Sequence, residues 1–156
     1  MRQTSVSDFD YHGNAAARAE AGRDGLVSVG DVGYFDADDY LFLCDRKRDM
    51  VISGGVNIYP AEIENALIGM DGVRDCAVFG VPDDEFGERL FACIEPEPGA
   101  MLSSSAVQNF LRARLANFKV PKDIKFLDVL PREASGKIFK RKLRDLHAEG
   151  RLRTLA

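Results

Sequence analysis

A chain of 156 residues, 46% hydrophobic and 29% charged, has the makeup of a folded domain with room for one appendage. Its net charge of −4 is unevenly spread: residues 1–45 hold nine acids and three bases, whereas from Lys137 onward seven bases face two acids. These totals argue against disorder. No apolar run approaches the roughly 20 residues of a membrane span, and MRQTSVSDFDYHG lacks the apolar stretch of a secretory leader. Three cysteines without a CxxC pair (Cys44, Cys76, Cys93) read as buried apolar residues in a reducing compartment, so the expected location is cytoplasmic.

Residues 1–25 carry little pattern; Ala15 to Ala21 suits at most a short helix with no large apolar residue to bury. Leu26 to Asp31 alternates as a strand does and ends in a turn. Gly33-Tyr34-Phe35 and Tyr40-Leu41-Phe42-Leu43-Cys44, around Asp36 to Asp39, form a hairpin whose partner surface is not found in the chain. We therefore expect residues 1–45 to be the end of a larger domain, with 46–49 as a polar hinge, 50–147 as a second domain and 148–156 as a tail. An orphaned hairpin could also pair with a copy of itself in a homodimer.

Beyond the charge cluster Asp45 to Asp49, Met50-Val51-Ile52 is apolar enough for a buried strand, and Ser53-Gly54-Gly55 is a turn. Pro60 suits the first turn of a helix over Ala61 to Met70, with Ile63, Ala66, Leu67 and Met70 on one face. Arg74 to Val81 and Arg89 to Glu95 are strands, the first ending at Pro82. Ser103, Ser104 or Ser105 caps a helix whose stripe is Val107, Phe110, Leu111 and Leu115. Ile124 to Leu127 is a third strand, and a basic helix closes the chain. The expected fold class is α+β: a small three-stranded sheet covered by helices, preceded by the β-hairpin.

The stretch DRKRDMVISGGVNIYPAEIE, together with Gly30-Asp31-Val32-Gly33-Tyr34 upstream and LPREASGK ending at Lys137 downstream, resembles the last third of the acyl- and aryl-CoA synthetases, within the adenylate-forming superfamily. The resemblance covers nearly the whole chain. It implies the C-terminal domain of such an enzyme, preceded by the last hairpin of its large N-terminal adenylation domain.

Roles follow residue by residue from that resemblance. Asp31 would hold the ATP ribose, a task suited to a carboxylate at a strand end. Taken by itself it is a plain turn aspartate. Arg46 would also contact the nucleotide through its planar fork of donors. Arg48 stands at the hinge position, where the family usually has aspartate or lysine; the RKR run otherwise suits a solvated face. Gly54 and Gly55 would line the tunnel for the pantetheine arm of CoA, although a tight turn accounts for one of the two. Phe118, Lys119 and Lys122 would meet the CoA nucleotide by stacking and by charge; Phe118 also continues the core stripe of its helix. Lys137 would be the catalytic residue, meeting the carboxylate and the α-phosphate during adenylation. A P-loop reading of Gly136-Lys137 fails, because Pro131 stands at the first glycine position and Ile138 at the Ser/Thr position.

The implied reaction uses ATP and CoA as substrates to activate a carboxylic acid, with Mg²⁺ in the complete enzyme held by residues outside this chain. His12 and His147 are isolated, and no spacing suggests a metal site. A second possibility is a free-standing, non-catalytic binding or regulatory module derived from the same domain. Nucleic-acid binding through Lys140-Arg141-Lys142 is disfavoured by the negative net charge.

Overall fold

The computed structural model describes residues 16, 21–23 and 26–152. The helix expected over 15–21 therefore lies outside the described residues except for Ala16 and Ala21, both helical, and His12 lies outside them too. The chain divides into two compact units, Met1–Arg48 and Asp49–Ala156.

In the first unit, β1 (Gly22–Arg23) pairs with β2 (Leu26–Val27), and β3 (Asp31–Phe35) pairs antiparallel with β4 (Leu41–Arg46). The turn between β3 and β4 closes around Asp36, whose Oδ1 accepts the backbone N–H of Asp38 at 3.0 Å and of Tyr40 at 2.9 Å. Gly33 is required here: a Cβ on it would stand 2.5 Å from the carbonyl oxygen of Phe42 on the facing strand. The rings of Tyr34 and Phe42 stack at 5.3 Å. Tyr34, Phe35, Leu41 and Leu43 remain exposed, so the hairpin carries more apolar surface than it buries. β4 runs on to Arg46, which leaves only residues 47–49 as the turn that follows.

The second unit is a five-stranded sheet with helices on both faces. The expected three strands are β7 (Val73–Asp83), β8 (Gly87–Pro96) and β9 (Asp123–Phe126), with β9 parallel to β8. A hairpin of β5 (Val51–Ser53) and β6 (Val56–Ile58) extends them to five. β5 pairs with β8 at Ser53 and Gly87, so hairpin and β9 lie along the same edge of β8, one beside its start and the other beside Phe91 to Ile94. Pro82 does not end β7, contrary to the sequence expectation. It pairs with Glu88 on the outermost strand of the sheet, where a missing N–H breaks no ladder bond.

Period-two alternation assigns the residues of β7 and β8 to two cores. Cys76, Val78, Leu90, Ala92 and Ile94 face α1 (Pro60–Ile68) and α2 (Ser104–Arg112), packing on Ile63, Leu67, Val107 and Leu111. Ala77, Phe79, Val81, Phe91 and Cys93 face α3 (Lys140–Ala148) and the loop before it, packing on Leu143 and Leu130. Burial on both faces explains why these strands read as nearly unbroken apolar runs. It also pushes the thiols of Cys76 and Cys93 up to about 12, which keeps both protonated. Ser103 is the cap of α2, its Oγ accepting the N–H of Ala106 at 3.2 Å.

His147 on α3 meets Phe91 edge-on, with ring centroids 4.5 Å apart. Burial first, then the charges of Arg89 and Lys125, hold its pKa below the ordinary 6.5. The unfolded chain binds this proton more readily than the fold does. The stability contribution is therefore complete above pH 6.5 and is lost as pH falls from there toward the lowered folded value. Urea denaturation across this range should show wild type losing stability relative to His147→Gln; parallel pH profiles would exclude His147 as the cause.

Candidate functional site

The first candidate surface lies where the β5–β6 hairpin and the approach to β9 share an edge of β8. Between them opens a largely apolar cleft of roughly 340 Å³, lined by Gly54, Val56, Ile58, Phe86, Leu90, Phe118 and Val120, with Arg89 and Lys122 as its cations. Gly54 thus converges with Phe118 and Lys122, which are distant from it in sequence. Phe118 sits in the short 3-10 turn Asn117–Lys119 and is 55% exposed, so it is a wall of the cleft and does not continue the core stripe of α2. The segment after it is pinned by Gln108, whose Nε2 donates to the carbonyls of Pro121 and Lys122, both at 3.1 Å.

Lys119 and Gly55 do not line this cleft. The ammonium of Lys119 is held by both carboxylate oxygens of Glu62, at 2.6 and 2.7 Å, on the first turn of α1. Lys122 is placed differently, with its Nζ 5.5 Å from the centre of the Phe86 ring. Arg89 is flanked by Asp83 and Asp123. The backbone N–H of Phe86 foremost holds the carboxyl of Asp83 below its usual range, and it stays ionised beside Arg89.

Gly54 and Gly55 are the two central residues of the β5–β6 turn, with φ of 57° and 80°. A two-residue hairpin of this type needs positive φ at both positions, so backbone geometry alone accounts for the whole pair, not for one of them. A Cβ on Gly54 would also come within 3.1 Å of the Phe86 ring, while one on Gly55 would meet nothing. Gly55→Ala should cost about 1–2 kcal/mol in urea denaturation from the left-handed backbone alone. Gly55→Asn, which tolerates that backbone, should recover more than half of the loss. If the two substitutions are equal, positive φ is not the reason for glycine here.

The second surface belongs to the opposite face of the sheet. Leu130 and Ile138 root a loop on the Phe79 core, and a bridge between Arg132 and Ile138 closes it. Within the loop Glu133 donates to the carbonyl of Lys137 at 2.8 Å and Gly136 donates to that of Glu133 at 2.9 Å. Lys137 is exposed, and among the described residues nothing hydrogen-bonds or ion-pairs with its ammonium. In the basic run that follows, Lys140 is held by Glu64 at 2.8 Å. Arg144 on the same helix bonds Asp49, the first residue of this unit, at 3.1 Å.

In the first unit, Asp31 and Arg46 face each other across β3 and β4, with Nε and Oδ1 3.6 Å apart. Two residues proposed from separate motifs are therefore one cross-strand pair. Arg48 is exposed in the turn at the boundary between the units. Among the described residues, no cluster of three His, Cys, Asp or Glu side chains could hold a metal ion.

Sequence reasoning missed Phe86 and Arg89, which reach the cleft from the β7–β8 turn and the start of β8. It also missed the anchors of the Lys137 loop, Asp75, Glu95 and Arg132. One signal was available: in RLFACIE, Glu95 falls in register with the inward-facing Phe91 and Cys93, an acid on a buried face.

A small mixed sheet with helices on both faces, a diglycine hairpin beside a cleft and an exposed lysine on the far face define a class. Residues 62–137 match the AMP-binding enzyme C-terminal domain, and this segment of the chain belongs to that family. A feruloyl-CoA synthase from an Amycolatopsis species is 48% identical over 134 residues, covering 86% of this chain and 27% of the relative. A 3-[(3aS,4S,7aS)-7a-methyl-1,5-dioxo-octahydro-1H-inden-4-yl]propanoyl:CoA ligase from Rhodococcus jostii is 50% identical over 122 residues, covering 78% of this chain and 24% of the relative. Among solved structures, the o-succinylbenzoate CoA synthetase of Bacillus subtilis in complex with its acyl-adenylate intermediate superposes with a TM-score of 0.79. Its identity is 34%, over 87% of this chain and 28% of that one. The chain thus spans about a quarter of the length of the relatives it matches.

Proposed function

We propose that this chain is the C-terminal portion of an AMP-forming acyl-CoA synthetase, working with a large N-terminal adenylation domain. In the first half-reaction a carboxylate oxygen attacks the α-phosphorus of ATP, an acyl-adenylate forms and pyrophosphate leaves. In the second, the thiol of CoA attacks the acyl carbonyl, loses its proton and expels AMP to give the thioester. Lys137 supplies positive charge to the α-phosphoryl oxygens in the first step. The Gly54–Gly55 turn and Phe118 admit and stack CoA in the second, with Lys122 as the phosphate contact; Lys119 would have to leave Glu62 to help. Asp31 takes the ribose hydroxyls with Arg46 beside it. Mg²⁺ would accompany ATP on residues outside this chain, and the location would be the cytoplasm.

One observation carries this reading: two chemically different surfaces, an unpartnered ammonium and an apolar cleft with a cationic rim, are rooted on opposite faces of one small sheet. A domain that turns about a hinge can present them alternately to one nucleotide site. The unit boundary at Arg48 supports a pivot there, and exposed charge keeps its backbone hydrated. The exposed Tyr34, Phe35, Leu41 and Leu43 support burial of the hairpin within the large domain.

Joined to a large adenylation domain, the chain should support pyrophosphate release from ATP and acid, and then thioester formation. The 156 residues alone should do neither. Acyl-CoA formation by the purified chain alone would overturn the proposal, and so would a joined enzyme that fails at both steps while it still binds ATP.

A further inference from the structure

Besides its apolar roots at Leu130 and Ile138, the Lys137 loop is tied to the sheet at its tip by the side chain of Arg132. Arg132 donates to Asp75 Oδ2 at 2.7 Å through Nη2 and to the backbone carbonyl of Gly136 at 3.2 Å through Nη1. The same Nη2 stands 3.7 Å from Oε2 of Glu95, a buried carboxylate that also accepts the N–H of Leu130 at 2.8 Å. Arg74 reaches its other oxygen at 3.3 Å. A guanidinium thus bridges two carboxylates on the sheet to a carbonyl at the tip of the loop.

That carbonyl belongs to the peptide plane between Gly136 and Lys137. The plane is rigid, so holding its oxygen also orients the N–Cα bond of Lys137. The next plane is held as well, because the Lys137 carbonyl accepts from Glu133. Gly136 has φ of 84° and no Cβ to restrain it, so a tether from outside has more to do at this position than at most others. The Arg132 side chain is 38% exposed, and ion pairs this open add little to global stability. Its consequence is local.

We infer that Arg132 is a positioning residue for Lys137: its fork, anchored on Asp75 and Glu95, fixes the peptide plane from which the lysine side chain springs. The catalytic consequence rests on the adenylation role proposed for Lys137; the tether itself does not. Lysine cannot replace arginine here, because a single ammonium lacks the planar fork that reaches carboxylate and carbonyl together.

The tether is tested on the 156-residue chain by site-resolved amide hydrogen exchange. In Arg132→Gln the amides of Glu133 and Gly136 should exchange about tenfold faster, with core amides such as Phe79 and Ala92 unchanged. Arg132→Lys should show most of the same increase although it keeps the charge. Unchanged loop amides, or loop and core amides accelerating together, would overturn the inference.

The catalytic consequence is tested in the chain joined to an adenylation domain, with Lys137→Ala as reference. Arg132→Gln should lower kcat for adenylation about tenfold, with the KM for ATP and thioester formation from supplied acyl-adenylate unchanged. If Lys137→Ala abolishes adenylation and Arg132→Gln leaves it intact, the positioning role is wrong. If Lys137→Ala leaves adenylation intact, the function proposed for the lysine is wrong, while faster loop exchange would still establish the tether.

Discussion

In the joined enzyme, Lys137→Ala should lower the rate of acyl-adenylate formation by roughly 10²–10³-fold, the usual cost of losing one preorganised donor to a developing oxyanion. The physical reason is where charge appears. As the carboxylate attacks, negative charge is redistributed over the oxygens around the α-phosphorus, and an ammonium aimed there stabilises the transition state more than bound ATP. Thioester formation from supplied acyl-adenylate should be nearly unchanged, because the function proposed above assigns that step to the cleft at Gly54 and Phe118, rooted on the other face of the sheet. Stability should also hold within about 0.5 kcal/mol, since the side chain is exposed and buries nothing. Rapid-quench measurement of pyrophosphate release, set against thioester yield from the preformed adenylate, checks all of this. An equal loss in both half-reactions would remove the lysine from the adenylation step.

Phe79→Ala should destabilise the second unit by about 3–5 kcal/mol in urea denaturation. The ring is fully buried, lies 5.5 Å from that of Phe91 and carries the Arg144 guanidinium 5.9 Å from its centre. It is the floor on which Leu143 of α3 and Leu130 of the Lys137 loop rest. Truncation removes the transfer energy of a phenyl group and leaves a cavity that a stiff strand pair cannot collapse. Against a typical domain stability of about 5–15 kcal/mol, this is a large share. A loss below about 1 kcal/mol would mean that α3 and the loop rest on something other than this ring.

The link between the two predictions is the Phe79 face. The loop that carries Lys137 is held by apolar contacts at Leu130 and Ile138 and by the Arg132 bridge. The Lys137 ammonium is left without a partner among the described residues. Rigid stem and free charge together are what transition-state stabilisation needs, because a group that is already ordered costs nothing to orient at the moment of reaction.

Much of this protein was legible in the sequence because the rules involved are local. Pro60 marks the start of α1, one of the serines 103–105 caps α2, and apolar runs mark β7 and β8, all through patterns local in the chain. The α+β class and the SGK loop were readable on the same terms, the second through family resemblance. Some features were decided only by tertiary contacts. Glu62 captures Lys119 and Asp75 captures Arg132, each pair 57 positions apart in the chain. Gly54 and Phe118 share a cleft because the pairing of Ser53 with Gly87 brings the β5–β6 hairpin to the same edge of β8 as β9. Periodicity says which face of a strand is buried. It does not say which distant strand lies beside it, because that choice is made by the packing of the whole core.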